Sequence, residues 1–152
     1  MIASSPFADG PENESMPRAT VIPVLQYRDV ATAAAWLCEA FGFTERLRIG
    51  SHRIQMNVGS GAVVIAARPH AAPAPSGQSI MVRVRDADEI FRRASGAGAE
   101  ILQASESFPY GERQFTVRDI GGHVWTFSQS ISDTPPASWG GALVSPETPG
   151  EA

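Results

Sequence analysis

The sequence is short of basic charge, of cysteine and of long apolar runs, and each shortage excludes a class of protein. Its 12 Lys and Arg against 16 Asp and Glu give a formal net charge of -4, so charge gives no reason to expect a nucleic-acid partner. No stretch approaches the roughly 18 apolar residues of a membrane-spanning helix. The N-terminus also lacks the basic and apolar regions of a secretory signal. We therefore expect a cytoplasmic protein with neither nucleic-acid nor membrane partners.

Cysteine occurs once, at Cys38. A single cysteine cannot form a disulfide within the chain, which suits a reducing compartment. Cys38 lies in an apolar run typical of a helix, where a cysteine is usually a small buried hydrophobe and not a nucleophile.

The remaining composition supports one folded domain between two irregular ends. The hydrophobic fraction of 43% over 152 residues is enough for a core. Residues 1–18 read as a disordered lead-in, and residues 133–152 read as an irregular tail rich in Pro, Gly and Ser, with Trp139 as its candidate docking residue. The domain itself is expected to span residues 19–132.

The domain carries one pattern twice, once over residues 20–67 and once over 79–131. Each copy reads as a strand, a helix and three further strands, and the Pro- and Ala-rich segment 68–78 links the two copies. The first strand of each copy ends in an aspartate, Asp29 or Asp86, which is placed to cap the following helix. The pattern predicts an α+β fold made of two βαβββ modules.

The stretches WLCEAFGF and VRDIGGHVWTF, together with the repeat, resemble the vicinal oxygen chelate superfamily of glyoxalases, extradiol dioxygenases and bleomycin-resistance proteins. The resemblance covers roughly residues 20 to 131. It implies a mixed sheet that curls around a cavity, with the helices outside. It also implies that the protein is a homodimer, because many members are dimers.

Enzymes of this superfamily typically hold a divalent metal with two side chains from each module. Carried onto this sequence, the positions fall on Ile22, Ser79 and Thr126, and alignment of GSGAVVI with IGGHVWT puts the fourth on Ile65. That alignment also turns Val63 toward the cavity. None of the four is a good metal ligand, so we expect neither a metal nor another cofactor.

Strand alternation predicts the residues that line the cavity instead. Arg83 lies between core valines; it either clamps a carboxylate or phosphate of a ligand or pairs with an acid such as Glu45. Tyr110 either stacks over the cavity mouth or packs its own loop. The expected ligand-binding residues are Gln26, Arg53, Gln55, Asn57, Arg83, Tyr110, Gln114, Thr116, Arg118 and Thr126.

Two functions fit this pattern. The first is a metal-independent protein of the bleomycin-resistance type, which binds a small molecule in a partly polar, arginine-lined cavity. The alternative is a glyoxalase- or dioxygenase-like lyase or isomerase that uses either a metal at displaced ligands or metal-free acid–base chemistry. Glu112 and His123 are the groups near the expected rim that could serve such chemistry, although His123 is better placed to stabilise its turn.

Overall fold

The computed structural model of the protein describes residues 5–7 and 10–144. Parts of the predicted lead-in and tail, residues 1–4, 8–9 and 145–152, lie outside the described residues. The elements are β1 (Val24–Tyr27), α1 (Val30–Phe41), β2 (Thr44–Ile49), β3 (Arg53–Val58), β4 (Gly61–Ala67), β5 (Ser79–Arg83), α2 (Ala87–Gly96), β6 (Glu100–Ser107), β7 (Glu112–Arg118), β8 (Val124–Ser130) and a 3-10 helix (Pro136–Trp139). None of the helices in this part of the chain is long and apolar enough to cross a membrane.

The strands form two four-stranded sheets with the same topology. Their orders are β1-β4-β3-β2 and β5-β8-β7-β6. β1 pairs with β4 and β5 with β8 in parallel, and the other neighbouring strands are antiparallel. The predicted α+β fold of two βαβββ modules is therefore confirmed; we call β1–β4 with α1 module 1 and β5–β8 with α2 module 2.

Each helix starts at the aspartate that the sequence indicated. The Asp29 carboxylate accepts a hydrogen bond from the Thr32 amide at 3.0 Å, and the Asp86 carboxylate accepts one from the Glu89 amide at 3.1 Å. The Thr32 bond also lowers the pKa of Asp29, since a carboxylate that accepts an amide hydrogen is favoured in its charged form. α1 ends at Gly42, whose φ of 77° is a left-handed conformation that glycine adopts without strain.

One hydrophobic core joins the two modules through their helix-facing sides. The Phe41 ring, at the end of α1, packs on Trp125 and Phe127 of β8 with ring centroids 5.6 and 4.7 Å apart. The Trp36 indole of α1 donates to the Ala97 carbonyl, beyond α2, at 2.9 Å. Full burial of large apolar side chains contributes about 1.5–3 kcal/mol each, so this shared layer holds the modules together.

The opposite faces of the sheets point away from this core, and most of the predicted alternation is confirmed. Leu25 and Tyr27 are buried on β1, whereas Gln26 between them is exposed; Phe115 and Val117 of β7 are buried likewise. We call the faces away from the helices the concave faces.

The predicted facing of β4 is wrong by one residue. Ile65 pairs with Ile54 and Val63 with Met56, and all four lie in the core. Val64 and its neighbours on the same face therefore occupy the concave side. The alignment failed because a two-residue turn leads into β4, whereas the five residues 119–123 lead into β8.

That longer turn is organised by the buried carboxylate of Asp119. Its Oδ1 accepts hydrogen bonds from the amides of Gly121 and His123, both at 2.9 Å. Its Oδ2 accepts from the Trp125 indole at 2.9 Å and from the Tyr27 hydroxyl of module 1. Burial, followed by the charge of Asp119, raises the pKa of Tyr27 well above its usual range, so this hydroxyl stays a donor. Asp119 thus links the modules.

Replacing Asp119 with Asn should destabilise the fold. The amide group cannot accept at both atoms, and it turns an N–H toward donors that the carboxylate satisfied. We expect a loss of about 2–4 kcal/mol in the free energy of unfolding, because hydrogen bonds to charged groups are worth about 1.5–3 kcal/mol each. Urea denaturation measures this loss. Asp133→Asn, at an exposed tail position, is the matched control. Equal stability of the two variants would contradict the role of Asp119.

Candidate functional site

The two concave faces do not cover one another within the chain. Val24 on β1 is 51% exposed and Met81 on β5 is 65% exposed, although both side chains are apolar and lie on concave faces. The ten residues predicted to line one cavity are therefore divided between two surfaces. Four lie on module 1, and six lie on module 2.

Module 2 gathers the polar side chains into a hydrogen-bonded chain. The Tyr110 hydroxyl donates to Gln114 Oε1 at 3.0 Å, and Gln114 Nε2 donates to Ser128 Oγ at 2.9 Å. Ser128 Oγ then donates to Glu112 Oε1 at 2.7 Å. Gln114 and Ser128 are only 8% and 3% exposed, so their polar atoms are satisfied by these bonds. The result is a fixed polar floor on β7 and β8.

Arg83 borders this floor from β5. Its Nη1 donates to Ser130 Oγ at 3.0 Å. Hydrogen bonds from Ser130 and Ser128 lower the pKa of Glu112, and the charge of Arg83 lowers it further. Ser130 is the strand partner of Glu112, so Glu112 is the acid near Arg83. Glu45 pairs with Arg48 at 2.8 Å instead.

These six residues form the candidate site, which we call the polar cluster: Arg83, Tyr110, Glu112, Gln114, Ser128 and Ser130. It contains three of the predicted ligand-binding residues. Ser130 was missed, and the inward-facing Ser128 was not counted as ligand-binding. Because every second residue of a strand faces the same side, the inward-facing Thr126 predicts that Ser128 and Ser130 also face inward. Glu112 was expected only at the rim, because sequence does not show that Ser128 hydrogen-bonds to its carboxylate.

The remaining predicted residues of module 2 bond among themselves or with a neighbour. Thr116 Oγ1 and Thr126 Oγ1, which share a face with the polar cluster, lie 2.8 Å apart. Arg118 forms an ion pair with Glu100 at 3.1 Å. Exposed pairs of this kind add little stability.

On module 1, the chain itself covers part of the concave face. Gln55 is buried: its Oε1 accepts from Arg46 Nη1 at 2.6 Å, and its Nε2 donates to the Ser15 carbonyl at 2.8 Å. Arg46 Nη2 also donates to the Glu14 carbonyl at 2.8 Å. We call residues 10–18 the N-terminal strap, because its backbone lies against Gln55 and Arg46.

The other predicted residues of module 1 also lie apart from the polar cluster. Asn57 Nδ2 donates to Thr44 Oγ1 at 3.3 Å. Arg53 is half-buried and Gln26 is exposed. The structure therefore leaves the module 1 residues on a separate surface.

A crevice of about 400 Å³ lies where the linker crosses between the modules. Gln26 is the one predicted ligand-binding residue among its lining residues, which also include Arg68, Gln78 and His123. Arg68 Nη2 donates to the Gly121 carbonyl at 2.8 Å, and a ring nitrogen of His123, Nε2, lies 2.9 Å from the Gln26 carbonyl. The Arg68 guanidinium and the His123 ring of the crevice are thus already engaged with backbone carbonyls.

Comparison with known proteins settles the family. A sequence model of the Glyoxalase/Bleomycin resistance protein/Dioxygenase superfamily matches residues 20–127. The chain belongs to this superfamily. The structure of TioX from Micromonospora sp. ML1 is 34% identical to this member, with a TM-score of 0.62 over 72% of this chain and 97% of that chain. Comparison with curated proteins gives no match.

More distant solved structures share the fold. A glyoxalase-related enzyme from Fulvimarina pelagi is 20% identical, with a TM-score of 0.61 over 71% of this chain and 85% of that chain. Lactoylglutathione lyase from Agrobacterium tumefaciens is 18% identical, with a TM-score of 0.58 over 76% and 96% of the two chains. These likenesses support the architecture and carry no activity to this protein.

The residues at the superfamily's metal positions do not fit a divalent metal. With the frame of β4 corrected, the four positions hold Ile22, Val64, Ser79 and Thr126. Two are hydrocarbons, and the hydroxyl of Thr126 already bonds to Thr116. Zinc, nickel, iron and manganese sites use imidazole, thiolate or carboxylate donors. Across residues 5–7 and 10–144, no three His, Cys, Asp or Glu side chains are grouped in a way that could hold a metal.

The polar cluster should make Glu112 titrate below the ordinary glutamate pKa of 4.5. A depressed pKa in the folded state stabilises the fold above the unfolded-state pKa, and this contribution is lost as the pH falls through the folded-state pKa. Carbon-13 NMR of the Glu112 carboxyl measures the titration. Ser128→Ala with Ser130→Ala should raise the pKa toward its ordinary value, whereas Ser95→Ala on α2 should not. A wild-type pKa at or above the ordinary value would contradict the bonding described.

Proposed function

We propose that the protein binds a small polar molecule without a metal, at the polar cluster on the concave face of module 2. The observation that carries this proposal is that the exposed Arg83 and the half-buried Tyr110 are held in place by hydrogen bonds to Ser130 and Gln114. The buried floor of Gln114 and Ser128 supports them from below. Rigid, pre-oriented donors and acceptors on a concave surface are what a small-molecule site needs to orient its ligand.

The chemistry of the cluster supports binding in preference to catalysis. The pKa of Glu112 is lowered, so it is a poor proton carrier near neutral pH. Ser128 is buried between Gln114 and Glu112 and is not reachable as a nucleophile. His123 lies in the Asp119 turn, with a ring nitrogen on the Gln26 carbonyl. These placements give no support to the alternative lyase or isomerase.

A second copy of the chain completes the proposed site. Small-molecule pockets enclose about 70–90% of a ligand's surface, and an open sheet face cannot do this. The exposed apolar side chains of Val24 and Met81 lie on the same concave faces and would lose water contact in a dimer, at about 25 cal/mol per Å² of apolar surface. We infer a homodimer in which module 1 of one copy faces module 2 of the other.

We also place the protein in the cytoplasm. Cys38 is a free cysteine. Burial is the main cause that raises its pKa, so the thiol resists oxidation better than a thiolate would. Free thiols persist in reducing compartments such as the cytosol.

Ligand binding should be independent of metal and dependent on Arg83. After dialysis against EDTA, metal analysis should find well below one equivalent of zinc, nickel, iron or manganese. Compounds found by thermal-shift screening should keep their affinity in EDTA. Arg83→Ala should weaken them roughly tenfold, the loss of one charged hydrogen bond.

Two variants make that experiment decisive. Arg85→Ala removes an exposed arginine just beyond the same strand and should leave affinity unchanged. Gln78→Ala alters the crevice under the linker. If Gln78→Ala loses affinity and Arg83→Ala keeps it, the ligand binds in the crevice and not at the polar cluster. If metal analysis finds one equivalent of tightly bound metal, binding is not metal-independent.

The dimer should depend on Met81. Light scattering of the wild type should give the mass of two chains, and Met81→Glu should give one, because the charge would be buried at the proposed interface. Ile120→Glu is the matched control, since Ile120 is also exposed but lies in the Asp119 turn. A wild-type protein of one-chain mass would rule out the shared site.

A further inference from the structure

The residues that follow β8, from Ile131 onward, pack on the loop between β6 and β7 and lead into the C-terminal tail. The amides of Ile131 and Ser132 donate to the Gly111 carbonyl at 2.8 and 3.3 Å. Gly111 has a φ of 83°, and a Cβ there would lie 2.6 Å from Thr134 Oγ1. Only glycine therefore allows the tail to pack so closely on the loop between β6 and β7. This tail lies beyond residue 127, where the superfamily match ends.

The tail then presents an indole at that loop. The 3-10 helix is closed by hydrogen bonds from the Ser138 amide to the Pro135 carbonyl at 3.0 Å and from the Gly141 amide to the Pro136 carbonyl at 2.8 Å. These bonds hold Trp139 against Tyr110, with ring centroids 5.4 Å apart and planes at 61°. Trp139 is nevertheless 45% exposed, so much of its surface is open to a ligand.

Tyr110 connects this indole to the polar floor. Its ring stacks on Phe108, with centroids 5.3 Å apart and planes at 8°, while its hydroxyl donates to Gln114. Phe108, Tyr110 and Trp139 therefore form an aromatic wall beside the polar cluster. An apolar, flat wall next to fixed hydrogen-bonding groups matches a ligand that has a flat apolar part and hydrogen-bonding groups of its own.

The charges of the site further limit the class of ligand that it favours. Arg83 Nη1 donates to Ser130 Oγ at 3.0 Å, and Ser130 is the strand partner of Glu112. The two opposite charges therefore lie beside the same serine and offset each other. Hydroxyl and amide groups make up the rest of the floor. Such a floor favours uncharged donors and acceptors over a free anion.

We propose that the tail supplies the aromatic wall of the binding site, and that the ligand is a planar aromatic or heteroaromatic molecule with uncharged amide or hydroxyl groups. This inference rests on the proposed function of the polar cluster. Trp139 contributes by ring stacking, and the cluster orients the polar group. Aromatic pairs gain energy beyond the area that they bury, which selects a flat ring over a saturated one.

Three probes test the ligand class: 2-naphthamide, its saturated counterpart decahydro-2-naphthamide, and the anion 2-naphthoate. Proton–nitrogen NMR titration gives dissociation constants and follows the Trp139 indole signal directly. We expect 2-naphthamide to bind more tightly than the other two and to shift that signal. Equal affinity for the saturated amide, or no binding of 2-naphthamide, would overturn the aromatic class.

Substitutions at Trp139 separate the tail from the cluster. Trp139→Leu should weaken 2-naphthamide about tenfold, Trp139→Phe should retain most of the affinity, and Leu143→Ala, at an exposed tail position, should change nothing. If Arg83→Ala weakens the probe while Trp139→Leu does not, the tail inference fails and the proposed function stands. If Arg83→Ala has no effect, the proposed function itself fails.

Discussion

The arrangement of the two modules depends on one buried carboxylate. Asp119 accepts hydrogen bonds from its own turn, from β8 and from Tyr27 on β1 of the other module. A buried charge is costly unless it is paired or hydrogen-bonded, so the turn, the strand and the partner module must be in place together. The shared core beneath, where Phe41 meets Phe127, needs the same alignment. This contact and the shared core together set the positions of both concave faces.

Much of the fold could be predicted from the sequence because its signals are local. The repeat, the capping aspartates and the alternation of β1, β3, β5 and β7 depend on neighbouring residues. The frame of β4 could not be read by analogy with β8, because the two preceding turns differ in length. The division of the predicted site residues between two surfaces arises from helix packing between modules, which periodicity within a strand does not encode.

The chain has the superfamily fold, but the residues at the four expected metal positions are poor metal ligands. Ile22 and Val64 offer hydrocarbon where donors would stand, and Thr126 bonds to Thr116. Two residues further along β8, Ser128 joins Gln114 and Glu112 instead. The polar groups of this face thus bond to one another, and their amide and hydroxyl groups are poorer metal ligands than imidazole, thiolate or carboxylate.

The N-terminal strap gives the module 1 face a built-in competitor. Its carbonyls already occupy Gln55 and Arg46, and they belong to the same chain as the surface they cover. A tethered group of this kind acts at an effective concentration on the order of millimolar. A free molecule displaces the strap only by making more or better contacts than two backbone carbonyls do. A solute that binds the module 1 face more weakly than the strap does therefore leaves the strap in place.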